Sequence, residues 1–423
     1  MLSLVRANAN FRNFMFFQGF AFIGRGIFGI FLMWVVHYQY HNPIYTGIAG
    51  FMFTFPNVIS FISGPLVDKG NKVTLLRFSC LLQLLVVGVL LVIPAQSYPG
   101  VWVLHIAILV YCLAGMVANP AGAALLPQIV APEELIQANA VIRIFSTCIG
   151  LLLGGFVYLA LAQGVGFQVV YGLNTAVLVV ALVFSVFIRV ARVPLPASAK
   201  SSSISHYISD LKQGWHLVGQ GIVLHLMIAV TVRHLFMEIA AVNLPMLADT
   251  HGGAGAGYML LMAIAMAGSL IGNYLSRVLE GKLKIVHIMT FGHILSGVLR
   301  FLFAYYITSD FRLALWLHAL FAGAGATINI FFQTLTQKLP PPEMVGRVNA
   351  IATSLFSAAA ALGALVGGAL GALLPRVEMV FLLQGASYVA IGLLLLFSRG
   401  IRELPKINDI TPMWDNDNVK GAL

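Results

Sequence analysis

The chain is divided almost end to end into apolar runs of about 20 residues, the length a helix needs to cross the hydrocarbon core of a bilayer. Twelve such runs can be drawn, at 13–36, 46–66, 73–94, 100–124, 139–162, 166–189, 220–246, 256–277, 285–307, 312–334, 348–373 and 379–398. Hydrophobic residues make up 60% of the sequence and charged residues only 9%. Soluble domains hold about 45–50% and about 25%. Most of the chain is therefore expected in lipid, as an all-α membrane protein.

An even number of spans places both ends of the chain on one side, and the basic residues say which. Arg6, Arg12, Lys69, Lys72, Arg77, Arg189, Arg192, Lys200, Lys212, Arg277, Lys282, Lys284, Lys338, Arg347, Arg399, Arg402, Lys406 and Lys420 fall on one face, against Arg312 and Arg376 on the other. Basic loops stay in the cytoplasm, so both termini are expected there. A net charge of +10 can signal nucleic-acid binding. Here the cations lie in the gaps between spans and form no stripe, so a lipid bilayer, not nucleic acid, is the expected partner. The N-terminal residues carry no evident cleavable signal: Arg6 and Arg12 precede a run too long for one. Cys80, Cys112 and Cys148 lie inside apolar runs without metal-ligand spacing and read as small buried hydrophobes. His37 and His41 flank an outer loop, and Trp34 and Trp316 read as residues of the interfacial aromatic belt.

The longest gap, 191–219, holds Pro194, Pro196 and three consecutive serines before an amphipathic stretch at 204–217, which suggests a linker and an interfacial helix. The expected organisation is a six-helix bundle at 1–190, a cytoplasmic linker at 191–219, a second six-helix bundle at 220–400 and a cytoplasmic tail at 401–423. An internal repeat supports the division. Pro132-Glu133 and Asn139-Ala140 recur as Pro342-Glu343 and Asn349-Ala350 with the same separation. Gly150, Gly154 and Gly155 are echoed by Gly363, Gly367 and Gly368. Small residues at four-residue spacing let helices approach closely, so these glycines serve packing, gating or both.

Between the second and third runs stands Gly64-Pro65-Leu66-Val67-Asp68-Lys69-Gly70-Asn71-Lys72. One carboxylate among lysines and glycines there can hold two helix ends in one state and release them in another. The pattern resembles the signature joining the second and third helices of the major facilitator superfamily, with Gly64, Leu66, Asp68, Lys69, Asn71 and Lys72 in register and Val67 departing from its usual small residue. Asn119-Pro120-Ala121, Leu125-Leu126-Pro127, Pro132 to Leu135, Ala138-Asn139-Ala140 and Pro342 to Asn349 resemble the branch of macrolide and siderophore exporters, enterobactin exporters among them. The resemblance implies twelve transmembrane helices in two pseudo-symmetric bundles with a small-molecule substrate between them, and a gating role for Gly64, Asp68, Lys69, Lys72, Gly150, Gly154, Gly363 and Gly367. The sequence departs from the drug–proton antiporters in carrying Leu151, and Ala364 in the repeat, where their fifth-helix motif has proline. It also lacks their arginine in the fourth span.

A charge at mid-bilayer costs about 2.5–3.5 kcal/mol even on insertion scales, so each buried one needs a partner or a wet cavity. The candidates are Arg25, Arg143, Arg233, His234, Glu238 and Arg300. Glu238 is the one carboxylate placed well inside a span. Burial and a nearby arginine act on its proton in opposite directions, which is what a coupling site requires; a static ion pair with Arg233 or Arg25 is the alternative. His234 precedes it by four residues, one helical turn. Arg25 and Arg233 occupy similar places in the first helix of each half. Two guanidinium forks suit a carboxylate or phosphate, unless Arg25 pairs within its own half.

No phosphate-binding loop of the G-x-x-x-x-G-K-[ST] type occurs, nor H-E-x-x-H, nor G-x-S-x-G. The chain is thus expected to be no enzyme, to use no cofactor or metal, and to work as a monomer. The sequence reading favours proton-coupled export of a small amphipathic or anionic molecule of the drug or siderophore class from a bacterial inner membrane. Arg25, Arg233, Glu238 and His234 would bind substrate, with Glu238 also carrying the proton. Uptake or exchange of an anionic metabolite through the Arg25/Arg233 pair is the alternative, and a receptor built on a transporter fold a third.

Overall fold

A computed structural model describes residues 2–60, 63, 67, 70–93, 100–131, 134–135, 137–139, 141–142, 145–146, 157, 166–189, 221–340 and 345–409. Among them the fold is helical: α1 (Leu2–Ala7), α2 (Ala9–Tyr40), α3 (Pro43–Val58), α4 (Lys72–Val92), α5 (Gly100–Leu125), α6 (Phe167–Val186), α7 (Gly221–Ala241), α8 (Leu244–His251), α9 (Ala254–Leu279), α10 (Ile285–Tyr306), α11 (Phe311–Lys338), α12 (Val345–Leu373), α13 (Glu378–Phe397) and α14 (Arg399–Glu403). Ten of these helices are long and apolar enough to cross a membrane. The second expected span corresponds to α3, described over 16 residues. The fifth expected span, 139–162, falls mostly outside the described residues, as do the linker at 191–219 and the end of the tail.

The chain divides into two compact units, 1–41 with 52–201, and 42–51 with 202–423. Both pair their spans alike. In the first, α2 packs on α6, α4 on α5 and α4 on α6. In the second, α7 packs on α13, α10 on α11 and α10 on α13. The repeat in the sequence is thus a repeat of helix neighbours.

Inside the first unit, α2 buries Phe11, Phe14, Phe17, Phe28 and Phe31, and Phe16 of α2 stacks on Phe184 of α6 with ring centroids 4.7 Å apart. Inside the second, glycines dominate the crossings. A Cβ on Gly297 of α10 would stand 2.6 Å from the Gly385 carbonyl oxygen of α13, and Gly268 and Gly272 of α9 meet the carbonyls of Ala319 and Gly323 of α11. Residues 42–51, the start of α3, belong to the second unit for the same reason: a Cβ on Gly47 would stand 2.7 Å from the Ala364 oxygen and from the Gly368 Cα of α12.

Two expectations change. The seventh span, drawn at 220–246, ends at Ala241, and α8 restarts at Leu244; Pro245 sits in the first turn, where its missing N–H costs nothing. Trp34 is 2% exposed, with its ring 5.6 Å from that of His37 on the same helix. It is buried rather than placed at the lipid boundary as a belt residue, whereas Trp316, 66% exposed, does face outward.

Candidate functional site

Each unit builds one arginine constellation from the same helices. In the first, Arg25 of α2 is half-buried beside Gly115 of α5. A Cβ on Gly115 would stand 3.4 Å from Arg25 Cδ and 3.4 Å from Gln83 Nε2 of α4. Gln83 donates to the Tyr111 carbonyl at 3.3 Å, and the Tyr111 ring stacks on Phe28 at 3.7 Å. Asn174 of α6 closes the group near Gly24, with its Oδ1 unpartnered.

In the second unit, Arg233 of α7 is buried and its Nη2 donates to the Gly325 carbonyl of α11 at 3.2 Å. A Cβ on Gly325 would crowd that nitrogen at 3.1 Å. His293 of α10 lies within electrostatic reach of Arg233; its Nδ1 bonds the Met289 carbonyl at 2.6 Å, and its Nε2 has no partner. Gln384 of α13 donates to the Tyr388 hydroxyl at 3.5 Å. Gly115 and Gly325, Gln83 and His293, and Asn174 and Gln384 each stand 210 residues apart, the spacing of the Pro132/Pro342 and Asn139/Asn349 repeat, while Arg25 and Arg233 stand 208 apart on the first helix of each unit. Gly325 leaves room for the Arg233 fork, whose Nη2 would stand 3.1 Å from a Cβ there, whereas Gly115 faces the Arg25 stem at an ordinary contact distance.

Glu238 does not pair with Arg233. Five residues along a helix turn the side chain through about 500°, leaving the two about 140° apart. Arg233 accordingly reaches α11, while Glu238 turns to α12, where a Cβ on Gly363 would touch Glu238 Cβ at 3.2 Å. Gly50 of α3 stands by its carboxylate, with a Cβ there 3.7 Å from Oε1, and Tyr258 of α9 lies within electrostatic reach. No ion pair closes on Glu238 among the described residues. His234 is stacked on Phe356 of α12, ring centroids 4.9 Å apart and nearly parallel.

The glycine strip of α12 is a close-packed seam. Gly363 and Gly367 meet the carbonyls of Leu235 and Ile239 of α7, and Gly371 meets the Asn243 side chain. Asn243 donates to Gly367 O and Ile239 O, both at 2.8 Å. Of the remaining gating candidates, Lys72 opens α4, behind Asn71, whose side chain caps Thr74 N at 3.0 Å. Gly64, Asp68, Lys69, Gly150 and Gly154 lie outside the described residues, as do Arg143 and Cys148. Cys80 is buried and Cys112 half-buried, both as free thiols.

Two groupings went unnoticed in the sequence. Arg300 of α10 is boxed by Phe321, Phe303 and Phe381 at 3.7, 5.1 and 5.5 Å from the ring centroids, and its Nη1 lies 2.9 Å from His318 Nδ1. Desolvated cation–π contact is worth about 2 kcal/mol, which offsets much of the insertion cost. The three rings come from three helices, so no local pattern announces them. At the other, Glu378 opens α13 and pairs with His251 at the end of α8, while Arg376 Nε stands 3.5 Å from it.

Two repeated helical bundles, each holding an arginine on its first span, define a multi-pass membrane protein of duplicated design. The model of the Major Facilitator Superfamily matches residues 14–225 and 226–414, and the chain belongs to that superfamily of transporters. It is 26% identical to the enterobactin exporter EntS of Salmonella typhimurium, over 96% of this chain and 97% of that protein. It is 25% identical to the uncharacterized MFS-type transporter YvqJ of Bacillus subtilis, over 87% and 88%. Among solved structures, the nucleoside transporter NupG matches with a TM-score of 0.73 at 13% identity, over 91% of this chain and 98% of that one. A peptide transporter, POT, matches at 0.70 and 14%, over 92% and 94%. These structural likenesses show the fold.

Proposed function

We propose that this transporter is a proton-coupled exporter of a small anionic or amphipathic molecule, siderophore-like in chemistry, in a bacterial inner membrane with both termini cytoplasmic. The observation that carries the reading is the arginine constellation built twice. Arg25, its stem beside Gly115, and Arg233, its Nη2 beside Gly325, each carry a planar donor fork suited to carboxylates and other oxyanions. The likeness to EntS, named as an enterobactin exporter, supports a catecholate siderophore as the substrate class and export as the direction.

Glu238, set among Gly50, Gly363 and Tyr258 and without an ion pair, is the proton carrier, and His234 borders the substrate. The Gly64, Asp68, Lys69 and Lys72 turn latches the inner face, and Gly150, Gly154, Gly363 and Gly367 take part in gating. The bundles run 1–190 and 220–400 around the linker, and the chain acts as a monomer.

Enterobactin flux into inside-out vesicles under an imposed inward-acid pH gradient tests this. Wild type accumulates the siderophore, and Glu238→Gln retains binding but loses accumulation. A Glu238→Gln protein that still concentrates substrate overturns the coupling role. Exchange of external for internal organic anion without any gradient would instead establish the antiport of anionic metabolites.

A further inference from the structure

Beyond α14 the chain turns back onto the second unit as a strap. Lys406 pairs with Lys284 in an isolated antiparallel bridge, and Ile285 N–H of α10 donates to the Pro405 carbonyl at 3.4 Å. Lys338 Nζ, at the end of α11, donates to the Ile407 carbonyl at 2.9 Å. Ile401, Leu404 and Ile407 are buried, so apolar contact anchors the strap.

The anchoring brings cations together where packing has no use for them. Residues directly opposite in an antiparallel pair turn their side chains to one face with Cβ atoms about 5 Å apart, and like charges there repel. Lys284 and Lys406 are both exposed, and no ion pair closes on either among the described residues. Lys338, bonded to the next residue of the strap, adds a third positive charge. Lys284 also stands at the N-cap of α10, whose positive end disfavours a cation. In the first unit the counterpart helix, α4, is capped by the Asn71 side chain instead. An anion held between the lysines turns this repulsion into attraction.

Depth selects the anion. α10 runs 22 residues from Ile285, about the thickness of the hydrocarbon core, so Lys284 stands at the level of the lipid headgroups. Leu283 beside it and Phe291, two turns further along α10, are exposed. The lysines suit a phosphate, and the apolar side chains next to them suit its acyl chains.

We propose that Lys284 and Lys406, with Lys338 beside them, bind the phosphate headgroup of an anionic phospholipid of the phosphatidylglycerol class, in the leaflet that the topology proposed above makes the inner one. The lipid ties the strap to the start of α10. It lies apart from the arginine constellations and from Glu238, so its first effect is on stability.

The test is thermal unfolding of the purified full chain in detergent with added phosphatidylglycerol, phosphatidylcholine or inorganic phosphate. Wild type shows a saturable rise in Tm with phosphatidylglycerol, as expected for a ligand that binds the folded state, and none with phosphatidylcholine. Lys284→Gln with Lys406→Gln leaves the backbone pairing in place and loses most of the rise. Arg277→Gln with Arg402→Gln, which removes two exposed cations outside the pair, retains it. Equal rises with the two lipids overturn the proposal. An equal loss in both double variants also overturns it, in favour of diffuse attraction to a basic face, and so does an equal rise with inorganic phosphate, in favour of the free ion. Flux does not enter the measurement, so its outcome is separate from that of the transport experiment.

Discussion

The two units pair their spans alike but achieve the contact differently. Where a described span glycine of the first unit is close to another helix, it faces a side chain: Gly19 meets Phe145, Gly24 meets Leu178, Gly29 meets Phe53 and Gly122 meets Gln18. In the second unit, Gly268, Gly272, Gly297, Gly363 and Gly367 face backbone carbonyls. A side chain can change rotamer to relieve a clash, but a carbonyl moves only with its helix. Among the described residues, the glycine crossings of the first unit are therefore adjustable and these five of the second rigid, while the arginine constellation is common to both.

The sharpest way to break that comparison is at the arginines. Arg25→Gln and Arg233→Gln should each lower transport by about 30-fold or more, the equivalent of about 2 kcal/mol for a lost charged contact. If initial-rate flux shows one of them dispensable, the half-sites are not equivalent. Next come the glycines. Gly272→Ala, placed against the Gly323 carbonyl, should destabilise by about 1–3 kcal/mol, whereas Gly122→Ala, against the Gln18 amide, should stay within about 1 kcal/mol. Melting curves of the two variants side by side distinguish a rigid from an adjustable unit, and equal shifts would remove the distinction.

Asn243 is a finer probe, since its first-unit counterpart is Val35, buried and without a hydrogen bond to give. Asn243→Ala should cost about 1–2 kcal/mol by releasing the Gly367 and Ile239 carbonyls, seen as a lower Tm with unchanged substrate affinity. The smallest effect is expected where the arginines lean on glycine. Gly325→Ala, crowding Nη2 at 3.1 Å, should raise KM about two- to threefold. Gly115→Ala, at 3.4 Å from a methylene, should leave KM unchanged.

Much of this was legible before any coordinates. Spans announce themselves because an apolar run of fixed length has few other uses, and α2, α4, α9, α10 and α13 overlap their expected runs closely. Arg25, Arg233 and Glu238 stood out because ionised groups are rare in lipid-crossing segments. What they touch did not. The alternative Arg233–Glu238 ion pair does not form, because the helical turn sends the two side chains to different neighbours, and the burial of Trp34 depends on which face of α2 meets other helices, which hydropathy does not record. His318 gave no sign, since one histidine in an apolar run is chemically mute until a guanidinium is brought to it.

By itself the sequence determined membrane residence, the rough bounds of most spans, and the duplication, because all three follow from one-dimensional spacing of apolar, basic and small residues. Tertiary structure alone decided which partner each polar group receives, that the start of α3 packs with the second unit, and that glycines such as Gly268, Gly272 and Gly297 meet backbone carbonyls. Those depend on side-chain direction around a helix and on contacts between residues hundreds of positions apart, such as Gly47 with Gly368. Linear spacing carries no record of either.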